Sequence, residues 1–322
     1  MIGLFFFLAS FLSEPCSQAF VTIEGRAQGT TYSIKYVQSG ISIDKKEIDS
    51  IFSLIDGSLS LYRPNSLISQ FNQTGRVLMD EHMKRVVEAS MGVYRESGGV
   101  FDITSASISV LWGFGPVGLK KVPSKREIRK ALSVTGSDKL QIRGDSLIAL
   151  KPGVKIDCNG IAQGYSVDVI GSFLSSKGIG QMLVELGGEV YVKGDHPETG
   201  DWKIGVESVE AVAGEWRPVD RIIKLRNKAI TTSGNYRNYF VEGSKSYTHV
   251  IDPAKGKPVD NGVITVTVIA ATAMAADAWD NALFVMGADR ATKFLNARKD
   301  LEVYIIYKGP DATIHELSVN SK

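Results

Sequence analysis

Residues 263–287 read VITVTVIAATAMAADAWDNALFVMG, a β-branched run that passes directly into an alanine-rich one. Branched side chains at 263–270 predict a strand, since they lose little freedom on a pleated surface, and the following residues predict a helix. Residues 30–37 (TTYSIKYV) alternate as a strand does, and 181–194 (QMLVELGGEVYVKG) read as two strands joined by glycines. Helical spacing recurs at 45–62 (KKEIDSIFSLIDGSLSLY), at 80–99 (DEHMKRVVEASMGVYRESGG), and at 161–178 (IAQGYSVDVIGSFLSSKG), the last predicted to be amphipathic and closed by Gly178. These elements follow no regular βαβ period. The expected class is therefore α+β: a mixed β-sheet with packed helices, in one compact unit spanning residues 20–322.

Size and charge narrow the function. A chain of 322 residues with 43% hydrophobic and 22% charged residues can bury a large core. A net charge of +2 gives no broad footprint for duplex nucleic acid, so no nucleic-acid partner is expected. Cys16 and Cys158 are the only cysteines, too few for a disulfide framework or a cysteine-built zinc site. The opening MIGLFFFLASFLSEPCSQAF is an apolar run too short for a stable membrane span, followed by small and polar residues. It reads as an export signal over residues 1–19, with a lipid-modified Cys16 as the alternative processing route; both place the mature protein outside the cytoplasm.

Four places hold residues suited to chemistry. Asp157 to Gly160 form a polar loop before a helix, which suits either an anion at the helix N-terminus or simple capping by Asp157 or Asn159. Asp277 and Asn281, four residues apart, share a helix face and can direct oxygens at one hard cation such as Mg²⁺; Asp280, further round, is expected to be solvated or salt-bridged. His249, with Asp252 three residues on, stands where a strand runs into the turn DPAKGKP. His82, His196 and His315 lack such surroundings. Glycines and aromatics cluster at 59–72, 98–116 and 185–194, where Tyr62, Phe101 or Trp112 can pack on a planar ring system. Neither a Walker A loop nor a GxGxxG fingerprint after a strand is present.

Taken together and in order, AQGTTYSIKY, LSLYRPNSLISQFN, GVFDIT with LWGFGP, IDCNGIAQGY, VELGGEVYVKG, AITTSGNYRNY, YTHVIDPAKGKPV and VTVIAATAMAADAWDNALFVMG resemble the ApbE family of FAD:protein FMN transferases over nearly the whole mature chain. The resemblance implies a magnesium-dependent enzyme, exported to the periplasm and often lipid-anchored. It moves FMN from FAD to a threonine or serine of a target flavoprotein, such as a subunit of a redox-driven ion pump, and releases AMP. By matching position, it implies FAD contacts at Gln28, Gly29, Thr30, Thr31, Tyr62, Val100, Phe101, Asp102, Asp157, Gln163 and His249. It implies a metal site of the Gly160 carbonyl, Asp277 and residue 281. His249 matches the histidine of the family's H-x-x-D-P motif and is the first candidate for the base, with Asp252 or Asp157 behind it. Three departures stand out: Gln28 where methionine is frequent, Cys158-Asn159 in place of Leu-Gly, and Asn281 in place of threonine. Rival readings are an FAD pyrophosphatase, with water as the nucleophile, and a non-catalytic periplasmic FAD-binding protein.

Overall fold

The computed structural model describes residues 19–38, 40–115, 121–206, 221–235, 239–242 and 245–321. The leader through Cys16, Pro116 and residues 236–238 of the AITTSGNYRNY segment lie outside this set. Its frame is an eight-stranded sheet whose spatial order follows the chain: Phe20–Ala27, Thr30–Val37, Met182–Leu186, Glu189–Lys193, Lys228–Gly234, Val263–Ala270, Glu302–Lys308 and Ile314–Val319. The α+β class with helices on one large sheet holds. The mixed strand directions expected of the sheet do not appear: the register instead makes each of its junctions antiparallel, because successive strands lie side by side in chain order. The first hairpin turns on two residues with positive φ, Gln28 at 51° and Gly29 at 79°, the combination that matches the right-handed twist of paired strands. Thr30 and Thr31 already belong to the second strand, so the turn itself is Gln28-Gly29.

Burial on both faces explains the sequence of the central strand. Val266, Val268 and Ala270 enter a core with Trp279, Leu283 and Phe284 of the Ala273–Met286 helix. Ile269 points the other way, into a cluster with Val190, Val192, Trp202, Ile223 and Leu225, where the hairpin Trp202–Val206/Arg221–Leu225 covers the sheet. The stretch between the second and third strands of the sheet supplies the remaining helical layer. It includes Lys45–Leu59, which starts in a capping box made by Asp44 and Glu47, and Glu81–Ser97, capped by Asp80 and closed by left-handed Gly98.

The Asn159–Ser176 helix does not have the amphipathic character expected of it. Ile161, Ala162, Tyr165, Val167, Ile170 and Leu174 are all buried, because the helix packs on the sheet alongside Ala273–Met286 and is also contacted by the helices Lys45–Leu59 and Glu81–Ser97. Its approach to Ala273–Met286 is close enough to require glycine: a Cβ at Gly164 would sit 2.3 Å from the Ala273 carbonyl oxygen and 2.8 Å from Asp277 Cβ. Asp168 fixes the pair, its two oxygens accepting from the Ala273 and Met274 amides at 2.8 Å each. Burial pushes the Asp168 carboxyl up to about 6.

Candidate active site

Close packing of these two helices assembles a group of oxygens. Gly160 departs from helical geometry (φ −85°, ψ 20°), kinking the first turn of its helix. The Gly164 amide donates to Asp277 Oδ2 at 2.9 Å. Asn281 Nδ2 lies 3.4 Å from both the Gly160 carbonyl oxygen and Asp277 Oδ1, and 3.0 Å from the Asp277 carbonyl oxygen and Asp280 Oδ1. A backbone carbonyl and a carboxylate thus converge on one amide head, and half a turn of that amide would present Oδ1 in place of the nitrogen.

The electrostatics there suit a cation. Asp277 and Asp280 are 4% and 2% exposed. Burial holds both carboxyls well above the usual carboxylate range; the charge of Glu189 raises each further, and Asp280 also raises Asp277. A divalent ion would relieve this repulsion, and hard oxygen donors are the set Mg²⁺ takes. Asp280 is neither solvated nor salt-bridged as expected: it accepts from Ser233 Oγ at 2.9 Å on the adjacent strand as well as from Asn281.

Gly160 and Asn281 line a cleft of about 240 Å³, with Tyr62, Val100, Phe101, Asp102, Asp157 and His249 around it. Tyr62 and Asn159 also line a second lobe of about 590 Å³, together with Gln28, Gly29, Asp56, Arg63 and Gln163 among others. Residues separated by more than 200 positions therefore line two neighbouring lobes of one groove, which share Tyr62 and Asn159. His249 lies half-buried on its wall, its ring 6.4 Å from that of Phe114. Asp102 is oriented by three donors on Oδ1: the Thr104 amide at 2.8 Å and the Thr104 and Ser137 hydroxyls at 2.6 Å. Asp157 lines the cleft and accepts from the Asn159 amide at 2.8 Å, but the cap position itself falls on Cys158, which makes no side-chain cap hydrogen bond, so neither Asp157 nor Asn159 is the N-cap residue. Burial raises the pKa of both carboxyls.

Four expected residues stand elsewhere. Thr30 and Thr31 line neither lobe; Thr31 accepts from the Gly187 amide at 3.1 Å, and a Cβ at Gly187 would lie 2.9 Å from Thr30 Cγ2, so both shape the turn beside Gln163. Asp252 is also absent from the lining. Its carboxylate accepts from the Ala254 and Lys255 amides at 3.0 and 3.1 Å and pairs with Lys255 Nζ at 2.9 Å, organising the turn rather than facing a substrate. Trp112 is buried with Nε1 donating to the Gly256 carbonyl at 3.0 Å, which removes it as a ring-stacking surface. Sequence reasoning missed Arg63 and Phe114 as lining residues, although both fall inside motifs it had singled out.

Comparison with known proteins identifies the family and the fold. The model of the ApbE family matches residues 28–305. An FAD:protein FMN transferase of Vibrio cholerae is 35% identical over 306 residues, covering 92% of this chain and 90% of the relative. That of Escherichia coli K12 is 31% identical over 301 residues, covering 90% and 85%. Among solved structures, the flavin transferase ApbE from Vibrio cholerae superposes with a TM-score of 0.85 at 34% identity, covering 94% of this chain and 98% of the other. The apo flavinyl transferase ApbE of Pseudomonas stutzeri gives 0.84 at 31% identity, covering 94% and 95%. With a family match over most of its length, and relatives this similar in both sequence and fold, the chain belongs to the ApbE family.

Proposed function

We propose that this enzyme transfers the FMN half of FAD to a threonine or serine hydroxyl of a target flavoprotein and releases AMP. The observation that carries this reading is the convergence of the Gly160 carbonyl and the buried Asp277 on Asn281, with Gly160 and Asn281 lining the same cleft as His249. The acceptor oxygen bonds to the FMN phosphorus, the bridging P–O bond of the pyrophosphate breaks, and AMP leaves with the bond's electrons. Gly160, Asp277 and Asn281 would hold Mg²⁺, which when bound supplies charge neutralisation on the pyrophosphate. His249 takes the hydroxyl proton; Asp157, whose pKa burial raises, is the fallback base. Asp102, fixed by Thr104 and Ser137, orients the substrate.

The acceptor belongs to the class of flavoprotein subunits of redox-driven ion pumps, and the mature enzyme works in the periplasm. The apolar leader, followed by small and polar residues, supports export. Cleavage near Ala19 and lipid attachment at Cys16 are separated by intact-mass measurement of the native protein. Incubation with FAD, Mg²⁺ and a threonine-bearing acceptor tests the reaction: covalent FMN-protein and AMP should appear in equal amounts. Free FMN as the dominant product at saturating acceptor would replace transfer by hydrolysis, and an absence of AMP would leave a flavin-binding protein.

A further inference from the structure

The described walls of the groove hold more acid than base. Asp102 and Asp157 line one lobe and Asp56 the other, whereas Arg63 is the one lysine or arginine among the described lining residues of both. An anionic substrate entering such a groove needs compensating positive charge. Arg63 shares its lobe with Asn159, Ala162 and Gln163, the first turn of the 18-residue Asn159–Ser176 helix. The positive end of a helix dipole and a guanidinium thus border one lobe, a combination that favours phosphate.

The guanidinium is held but not engulfed. Nη2 donates to Asp56 Oδ2 at 3.0 Å, and Nη1 to the carbonyl and hydroxyl oxygens of Ser53 at 3.2 and 3.3 Å. The Arg63 side chain remains 45% exposed while that of Asp56 is 19% exposed. The carboxylate is therefore the anchored partner and the guanidinium the accessible one. With five N–H donors, a guanidinium can engage a phosphate while keeping its carboxylate. Tyr62, the preceding residue, lines both lobes, which sets Arg63 beside their junction.

We propose that Arg63 binds the substrate pyrophosphate on the side away from Gly160, Asp277 and Asn281, with Asp56 as the positioning residue that holds the guanidinium at the wall. This rests on the FAD reading above. The test is titration of the purified full chain with FAD, with ADP in competition, and with riboflavin, which has the ring but no phosphate. Arg63→Gln should weaken FAD and ADP about 10- to 100-fold, the usual worth of a charge-assisted hydrogen bond, and leave riboflavin within about twofold. Arg63→Lys, which keeps the charge but not the fork, should recover part of the loss. Asp56→Asn should weaken FAD only a few-fold, and have no further effect in the Arg63→Gln background. A circular dichroism melt matching wild type shows that the variants are folded. Arg63→Gln binding FAD as wild type does, or losing riboflavin as strongly as FAD, would overturn the proposal alone. A wild-type protein that bound no FAD would overturn it together with the transferase reading.

Discussion

Gly164→Ala places one methyl group between the two helices that assemble the oxygen cluster. Ordinary contact begins near 3.4 Å, and the new Cβ would stand 2.3 Å from the Ala273 carbonyl oxygen and 2.6 Å from its carbon, both backbone atoms. The helices must therefore part by about 1 Å. Overpacking of this kind costs about 1–3 kcal/mol, and backbone neighbours place it at about 3. The gain in helix propensity returns up to about 1 kcal/mol, leaving a net loss of about 2. For a protein of this size that lowers Tm by roughly 4 °C, so the variant stays folded at room temperature. Activity should suffer far more, since displacing a reacting group by about 1 Å can cost about 100-fold in turnover. The control is Gly171→Ala on the same helix, whose Cβ would meet only the edge of the Tyr191 ring, at 2.9 and 3.1 Å, a side chain that can swing aside. That variant should stay within about 1 kcal/mol of wild type and keep its turnover. Thermal melts and initial rates of AMP release over a Mg²⁺ titration measure both effects. Wild-type rates and Mg²⁺ dependence in Gly164→Ala would refute the placement of the metal between these helices.

Other substitutions separate chemistry from support. Asp277→Ala should abolish transfer and hydrolysis together, whereas Asn281→Thr should keep activity, as chromatography of the nucleotides will show. His249→Ala should lower the transfer rate by about 100-fold or more with little change in FAD affinity measured by flavin fluorescence; unimpaired transfer would pass the role of base to Asp157. Asp252→Asn should cost about 1 kcal/mol of stability and less than tenfold in rate, because its carboxylate serves the turn. Asp277 and Asp280 have pKa values raised in the fold, so the metal-free fold binds their protons more tightly than the unfolded chain does. Their contribution is fully present below the unfolded carboxylate pKa of about 4 and is lost as pH rises through the raised values. In chelator, Asp280→Asn should flatten that fall in Tm. The Tm increment from added Mg²⁺ should grow with pH, and an increment independent of pH would contradict the assignment.

What the sequence made legible was local. A β-branched run feeding an alanine-rich one became the Val263–Ala270 strand and the Ala273–Met286 helix, and the four-residue spacing of Asp277 and Asn281 put both at one site. Misreadings came where a distant segment decides. Asp280 looked exposed on a helical wheel, but its hydroxyl partner is Ser233, 47 positions away on the neighbouring strand. Trp112 looked like a flavin platform, but the Gly256 carbonyl that fixes its indole is 144 positions away. The 159–176 helix could not be known as buried until the layers on each side of it were placed. Arg63 gave no signal of its own, because a lone arginine is noticed only once the acids sharing its groove are known.

The departures from the common family pattern follow the same division between local and distant constraint. Cys158 is 1% exposed and joins the main core, where a small apolar side chain is all that is needed; burial and the charge of Asp157 push its thiol further from ionisation, so it is suited to packing rather than reaction. Asn159 is exposed and lines both lobes, a position where a polar side chain costs little. Asn281 is the substitution under constraint, because a threonine there would offer a hydroxyl on a short arm, whereas the amide reaches the Gly160 carbonyl oxygen, 3.4 Å from its Nδ2, across the helix interface. That reach uses the space left by the missing side chain at Gly160: a Cβ there would lie 3.2 Å from the same Nδ2, so the amide would have to give by a few tenths of an ångström. The longer residue at 281 and the glycine at 160 therefore form one steric unit, and a side chain at 160 should be better tolerated once the shorter threonine replaces Asn281. Comparing Gly160→Ala alone with Gly160→Ala combined with Asn281→Thr measures that coupling, and additive losses of stability and rate would show the two positions to be independent.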